Sequence, residues 1–255
     1  MEPIARNLAG DPIHLHGPIF PILKEIDSKT RQMVGTGFFL TNIGHFVTAK
    51  HVIADIYDFQ KGIQHAPIHA VHFVKPTEAL VRHITKIAIH PDSDIAIGKM
   101  DFHILKDTGK PLHNMVPFFS AVPPMIGSNV LTFAYPNTDK IIRNGKMGKI
   151  VGDLFTGKLL EHSETPRDSV LVNWPHYVTT INVKGGASGG PVFDNKGRVI
   201  GVNCVGGLGE HSYMARVHEL LELAVPDFPI DEKGTLGDPR VIELVEKGAI
   251  QLAKD

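Results

Sequence analysis

A chain of 255 residues, 42% of them hydrophobic, is long for one ordinary core and has enough apolar content for two small ones. Lysine and arginine number 26 against 27 acidic residues, a formal net charge of −1, and no basic patch stands out; this argues against nucleic-acid or membrane-surface binding, which rely on concentrated positive charge. The single cysteine excludes an internal disulfide, so burial alone must hold the fold, as suits a reducing compartment.

The opening stretch, MEPIARNLAGDPIHLHGPIF, lacks the positively charged start and the apolar run of about seven residues that make a secretory signal. No apolar run approaches the ~20 residues of a membrane-spanning helix, and cytoplasmic residence is expected. In chain order, strands are predicted over 19–26, 33–41, 71–74, 82–90 and 94–100, followed by the linker DTGKPLHNM after Lys106. A second set follows over 129–134, 140–152, 177–182, 191–193, 198–203 and 213–217. Strand signals at this density predict an all-β fold built of barrels. The expected organisation is an N-terminal barrel over 18–106, a C-terminal barrel over 114–222 and a C-terminal helical extension over 223–255. In that extension 218–224 reads as helix, and 239–253 carries Val241, Ile242, Leu244, Val245 and Ile250 with charges between them. Such an amphipathic segment covers its own barrel or docks a protein partner. No repeats or low-complexity segments are apparent.

Chemistry is concentrated in three places. Residues 185–191 read GGASGGP, His51 lies in TAKHV and Asp94 in SDIAI, so His, Asp and Ser occur in that order, with room to spread the acid/base groups over the halves of a two-lobed chain. A serine hydroxyl is a poor nucleophile unless a base lies within hydrogen-bond reach, a carboxylate orients that base, and donors await the oxyanion formed on attack. Gly186 can adopt positive φ and leave its N–H approachable, and Ser188 contributes its own N–H, so the two amides are candidate oxyanion donors. Gly189 and Gly190 leave room for a substrate backbone, and Pro191 prevents a helix from continuing.

The same residues satisfy G-x-S-x-G, the strand-to-helix nucleophile elbow of α/β-hydrolases. Here a proline follows the serine by three positions and DNKGRVIGVNC reads as strand, turn and strand. The acid and histidine an elbow needs after its serine would be Glu210 with His211 or His218, crowded together without βα units between them. His51 stands where a strand end meets a short helical turn, which would hold an imidazole from both sides. Asp94 opens an apolar strand in which Ile95 and Ile97 anchor its neighbours, leaving its carboxylate free to orient an imidazole N–H. His65, His69 and His72, or His14 with His16, could suggest a metal site, but the first three would not share a strand face. Neither a metal nor a cofactor is expected.

The segments GTGFFLTNIGHFVTAKHV, HPDSDIAI and GGASGGPVFDNKGRVIGV resemble the chymotrypsin/trypsin-like serine peptidases, in particular the disulfide-free bacterial branch that includes the HtrA/Deg proteases. The resemblance spans about 18–222. It implies a double six-stranded β-barrel with the active site in the cleft between barrels, His51 as general base, Asp94 as orienting acid, Ser188 as nucleophile, and the Gly186 and Ser188 amides as the oxyanion hole. It further implies a serine endopeptidase acting on protein or peptide substrates through an acyl-enzyme; the residues after the peptidase unit leave no room for a PDZ domain, so the architecture of a complete HtrA protein is not expected. By the same resemblance Asn182, Ser212 and Met214 would form the primary pocket, and Val202, Cys204 and Gly206 would belong to the strand that pairs with substrate. None of these supplies a carboxylate, so small or medium uncharged residues are expected before the cut. Ala187 stands where the family usually has Asp or Asn, so any activation by N-terminal cleavage does not use that ion pair. Cys204 stands where a serine near the catalytic acid is frequent, and reads as a small buried hydrophobe. The same fold, catalytically silent, would serve as a protein-binding module, and a peptidase dedicated to one target would look identical at this level.

Overall fold

A computed structural model of the chain describes residues 5–6, 12–54, 56–58, 61, 63–75, 78–136, 141–143, 150–208 and 210–253. The first half begins with a hairpin of β1 (Ile19–Asp27) and β2 (Thr30–Phe39), turned at Asp27, whose Oδ1 accepts the Lys29 amide at 2.8 Å. After it come β3 (His45–Thr48), helix α1 (Lys50–Ala54), β4 (Ile68–Lys75), β5 (Glu78–Ile89) and β6 (Ala96–Met100). These strands pair antiparallel in the cyclic order β1–β2–β3–β6–β5–β4 and close on themselves. Closure removes the exposed edges that would otherwise template aggregation. Inside, Phe20 packs tilted on Phe39 and edge-on against Phe46, with ring centroids 4.9 and 5.5 Å apart.

The second half repeats the plan with β7 (Asn129–Ala134), β8 (Asp153–Ser163), β9 (His176–Thr179), β10 (Pro191–Phe193), β11 (Val199–Leu208) and β12 (His211–Arg216). Its cyclic order, β7–β8–β9–β12–β11–β10, matches that of the first barrel position for position. The molecule is thus two closed six-stranded antiparallel barrels. The second barrel has its own core of Val130, Leu159, Tyr177, Ile181, Val192, Ile200 and Met214, while a larger apolar cluster runs through the first barrel, the seam and the C-terminal segment.

Three sequence expectations change. The strand predicted over 140–152 lies partly outside the described residues, and its visible part, Ile141–Arg143, pairs with β2 of the first barrel and not within the second. β8 escapes sequence reading because Leu159 is its one buried residue, so it carries no apolar alternation. The C-terminal extension is less helical than predicted: α2 (Val217–Leu220) and α3 (Val241–Glu246) are short, and the hairpin Phe228–Pro229 with Leu236–Gly237 lies between them. The Leu244 carbonyl accepts the Ala249 amide at 2.8 Å beyond Gly248, the reversal that ends a helix. Val241, Leu244 and Ile250 are buried, and the Ala253 amide donates to the Phe119 carbonyl at 2.8 Å. The apolar side of the tail is therefore spent on its own body, tying the inter-barrel segment to the C-terminus.

Candidate active site

The β3–β6 register builds the first half of the site. Thr48 pairs with Ala96, so the chain leaving β3 toward His51 runs beside the chain that arrives from Asp94. Val52 and Ile53 bury the inner face of α1 and hold the His51 backbone against the barrel. The Asp94 carboxylate accepts twice from one residue: Oδ1 takes the His51 backbone N–H at 2.9 Å and Oδ2 the Nδ1–H at 2.7 Å. With Nδ1 donating, Nε2 is the basic nitrogen. The Asp94 side chain is 13% exposed and that of His51 46%, so the carboxylate is sheltered while the imidazole faces the cleft. Both groups come from the first barrel; they are not divided between the halves of the chain.

Ser188 belongs to the second barrel and sits in two consecutive turns, in which the Ala187 amide donates to Lys184 at 3.1 Å and the Gly190 amide to Ala187 at 3.0 Å. Two reciprocal bonds between 189–190 and Asn203, at 2.7 and 2.9 Å, fasten this loop to β11. Buried threonines of the first barrel fasten its other side. The Thr36 amide donates to the Ser188 carbonyl at 2.8 Å, its hydroxyl donates to the Gly186 carbonyl at 2.8 Å and accepts the Tyr135 amide at 3.0 Å, and the Thr48 hydroxyl donates to the Thr36 carbonyl at 2.7 Å. Gly189 has φ +84°, and a Cβ there would stand 2.1 Å from the Thr36 carbonyl oxygen and 2.2 Å from the Thr48 hydroxyl, so only glycine lets the barrels meet this closely. Among the described residues, the Gly186 and Ser188 amides donate to no protein acceptor, and Gly186 has φ +94°. Two such N–H groups beside a hydroxyl are the donors an oxyanion needs. The Ser188 Oγ donates to the Cys204 carbonyl at 3.1 Å and not to His51.

A family model described as the trypsin-like peptidase domain matches residues 35–202, well over half of the chain. The chain belongs to the trypsin-like peptidase domain family. It is 26% identical over 186 residues to Protease Do-like 5, chloroplastic, of Arabidopsis thaliana, an alignment covering 71% of this chain and 51% of that protein. The chain thus spans about half the length of the curated relative it matches. Among solved structures it is similar to Deg5, with a TM-score of 0.59, 20% identity, and coverage of 80% of this chain and 85% of that one. It is also similar to the active form of the Rv3671c protease from M. tuberculosis, with a TM-score of 0.56, 20% identity, and coverage of 80% and 78%.

In this trypsin-like domain His51, Asp94 and Ser188 border one cavity of about 660 Å³. One wall is His51, Ala54 and 91–94; a second is 183–185 with Ser188 and 204–206; the third is Val170, Leu171, Asn173 and Trp174. That third wall was not foreseen. It rests on a loop in which Asp168 Oδ1 accepts the amides of Val170, Leu171 and Val172 at 2.6–3.1 Å, leaving Val170 78% exposed at the cavity rim.

Of the residues expected at the substrate pocket, Cys204 and Gly206 line the cavity. Asn182 is exposed outside it, and the next residue, Val183, lines the cavity instead. A Cβ on Gly206 would stand 2.3 Å from Val183 Cγ2 and 3.3 Å from the Ser212 hydroxyl, so Val183 fills the slot between them. Ser212 is buried with its hydroxyl on the Ile181 carbonyl, and Met214 is enclosed in the core of the second barrel; neither lines the cavity. Val202 is paired on one side with Pro191 and on the other with Ala215, so the strand edge open to the cleft begins only at Cys204. The Cys204 thiol is buried, donates to the Asp94 carbonyl at 3.4 Å, and is pushed to a high pKa by burial first and the Asp94 charge second. It is a packed, protonated group under the acid, not a thiolate.

Proposed function

We propose that this trypsin-like domain is a serine endopeptidase in which His51, Asp94 and Ser188 act as base, orienting acid and nucleophile. The observation that carries the reading is the Asp94–His51 pair facing the same cavity as Ser188, beside two amides with no protein acceptor. The reading requires the Ser188 hydroxyl to leave the Cys204 carbonyl and donate to His51 Nε2. As Oγ attacks the scissile carbonyl carbon, its proton passes to Nε2, and the oxyanion accepts from the Gly186 and Ser188 amides. His51 then returns that proton to the departing amine as the C–N bond breaks, leaving an acyl-enzyme. Water, losing a proton to His51, cleaves the ester, and the proton goes back to Ser188. Asp94 stays ionised throughout and stabilises the imidazolium.

Substrates are proteins or peptides bound in extended form, pairing main chain to main chain with Cys204–Gly206. The slot filled by Val183 suits a small uncharged residue before the cut, and Val170, Leu171 and Trp174 favour apolar residues further upstream. A fluorophosphonate probe should label Ser188 in the wild type and fail with His51→Ala; labelling that survives His51→Ala would overturn the assignment. A peptide library with strict Arg/Lys preference would overturn the slot. The Ser188–Cys204 hydrogen bond favours a second reading, a silent fold that binds protein without cleaving it, and that reading predicts no labelling at all.

A further inference from the structure

We propose that His90 is a positioning residue for the catalytic acid, holding the turn that presents Asp94 by acting as a hydrogen-bond acceptor. The inference rests on the peptidase reading for its kinetic consequence. β5 ends at Ile89 and β6 begins at Ala96, so Asp94 sits on a short connection. His90 organises most of it. Its amide donates to the Ile95 carbonyl at 2.9 Å, its carbonyl accepts Lys50 Nζ at 2.9 Å, and its ring Nδ1 accepts two amides, those of Asp92 at 3.1 Å and Ser93 at 2.8 Å. Lys50 completes the frame through Nζ on the Pro91 carbonyl at 3.2 Å and its own amide on the Asp94 carbonyl at 3.2 Å.

Imidazole Nδ1 lies as many bonds from the backbone as the side-chain oxygen of Asn or Asp. Accepting from the amides two and three residues ahead, His90 copies the turn those residues ordinarily make. Only an unprotonated Nδ1 has the lone pair for it, so the proton must reside on Nε2. Protonation would turn Nδ1 into a donor facing two donors, releasing the turn and with it the two bonds by which Asp94 aims His51. The surroundings keep the ring neutral: burial, the largest cause, and Lys50 from α1 lower its pKa, against the opposite pull of Glu219, Asp92 and Glu222. Activity should therefore lose a His90-dependent factor on the acid side.

The test compares His90→Asn, which keeps an acceptor at the same bond distance but does not titrate, with His90→Phe, which removes it. Peptide hydrolysis is followed against pH, and the low-field proton resonance of His51 Nδ1–H reports the Asp94 contact without any turnover. We expect His90→Phe to lower kcat at pH 7 about tenfold with KM changed less than about twofold, and to broaden the His51 resonance. His90→Asn should keep both near wild type, and its log kcat should fall less steeply on the acid side than that of the wild type. Wild-type kcat and resonance in His90→Phe would overturn the proposal. So would a His90→Asn variant that folds normally but loses as much as His90→Phe. An inert wild-type enzyme with the His51 resonance intact would sink the peptidase reading instead, leaving the resonance of the two variants to decide on His90.

Discussion

The two barrels share one strand order and build their parts of the site in different ways. In the first, two groups far apart in sequence meet because their strands are hydrogen-bonded neighbours, Thr48 beside Ala96, so register brings the chains carrying His51 and Asp94 together. In the second, Ser188 sits on a glycine-rich double turn that is hydrogen-bonded across the seam by Thr36, whose own carbonyl is held by Thr48. The His51–Asp94 pair is thus internal to one barrel, whereas the Ser188 loop takes its hydrogen bonds from both.

The largest test removes the parts themselves. Ser188→Ala or His51→Ala should lower kcat by about 10⁴-fold or more while circular dichroism stays unchanged, since members of such a constellation act as a unit. Retained turnover in either would place the chemistry elsewhere.

Acid should discriminate between the barrels. His45 of the first is fully buried, with Nε2 on the Pro226 carbonyl at 2.9 Å and Nδ1 on Thr41 Oγ1 at 3.0 Å. Burial, outweighing the Pro226 bond, lowers its pKa to about 4. Because the unfolded chain binds this proton more readily, the stability due to neutral His45 is complete above the ordinary value of 6.5 and is lost as pH falls from there toward about 4, some 3 kcal/mol in all. Urea denaturation between pH 7 and 4 should show this loss together with that of His72, whose pKa burial lowers to about 3, and His45→Gln should make it shallower; an unchanged slope would remove His45 as a source.

Thr36→Val probes the seam. It leaves the Gly186 carbonyl without its donor and the Tyr135 amide without its acceptor, and should cost about 2 kcal/mol in transition-state stabilisation, read as a roughly 30-fold fall in kcat with KM little changed. Thr36→Ser should recover most of it. If Thr36→Val alters only thermal stability, the nucleophile loop is self-supporting and the contrast between the barrels fails.

The smallest effect concerns selectivity. Val183→Gly opens the slot beside Gly206, and should raise kcat/KM for leucine over alanine before the cut about tenfold in a matched peptide pair.

Much of the architecture was legible in the chain because it is locally encoded. The strands of the first barrel carry apolar stretches bounded by turn residues, and GGASGGP advertises a loop that only glycine can build. β8 was not legible, since with Leu159 alone buried it shows neither an apolar run nor alternation. The expectation named Asn182 where its neighbour Val183 lines the cavity, because no local pattern says which of two adjacent residues in an irregular segment faces a cleft. Thr36, lying between Gly35 and Gly37, offered a weak signal, a polar residue flanked by glycines where backbones approach closely; nothing in its neighbourhood names its partner 150 residues away.

What the amino-acid order determined unaided is the all-β class, the two-barrel plan and membership of the trypsin-like family, because alternation, turn chemistry and short motifs are properties of neighbouring residues. What only the tertiary structure decided is the filling of the slot by Val183, the bonds of Thr36 to the Ser188 loop, the resting bond from Ser188 to Cys204, and the course of the C-terminal tail across the seam. Each of these depends on which surfaces meet when two closed barrels pack. That choice is made by shape and buried hydrogen bonds between residues distant in sequence, and no local pattern records it.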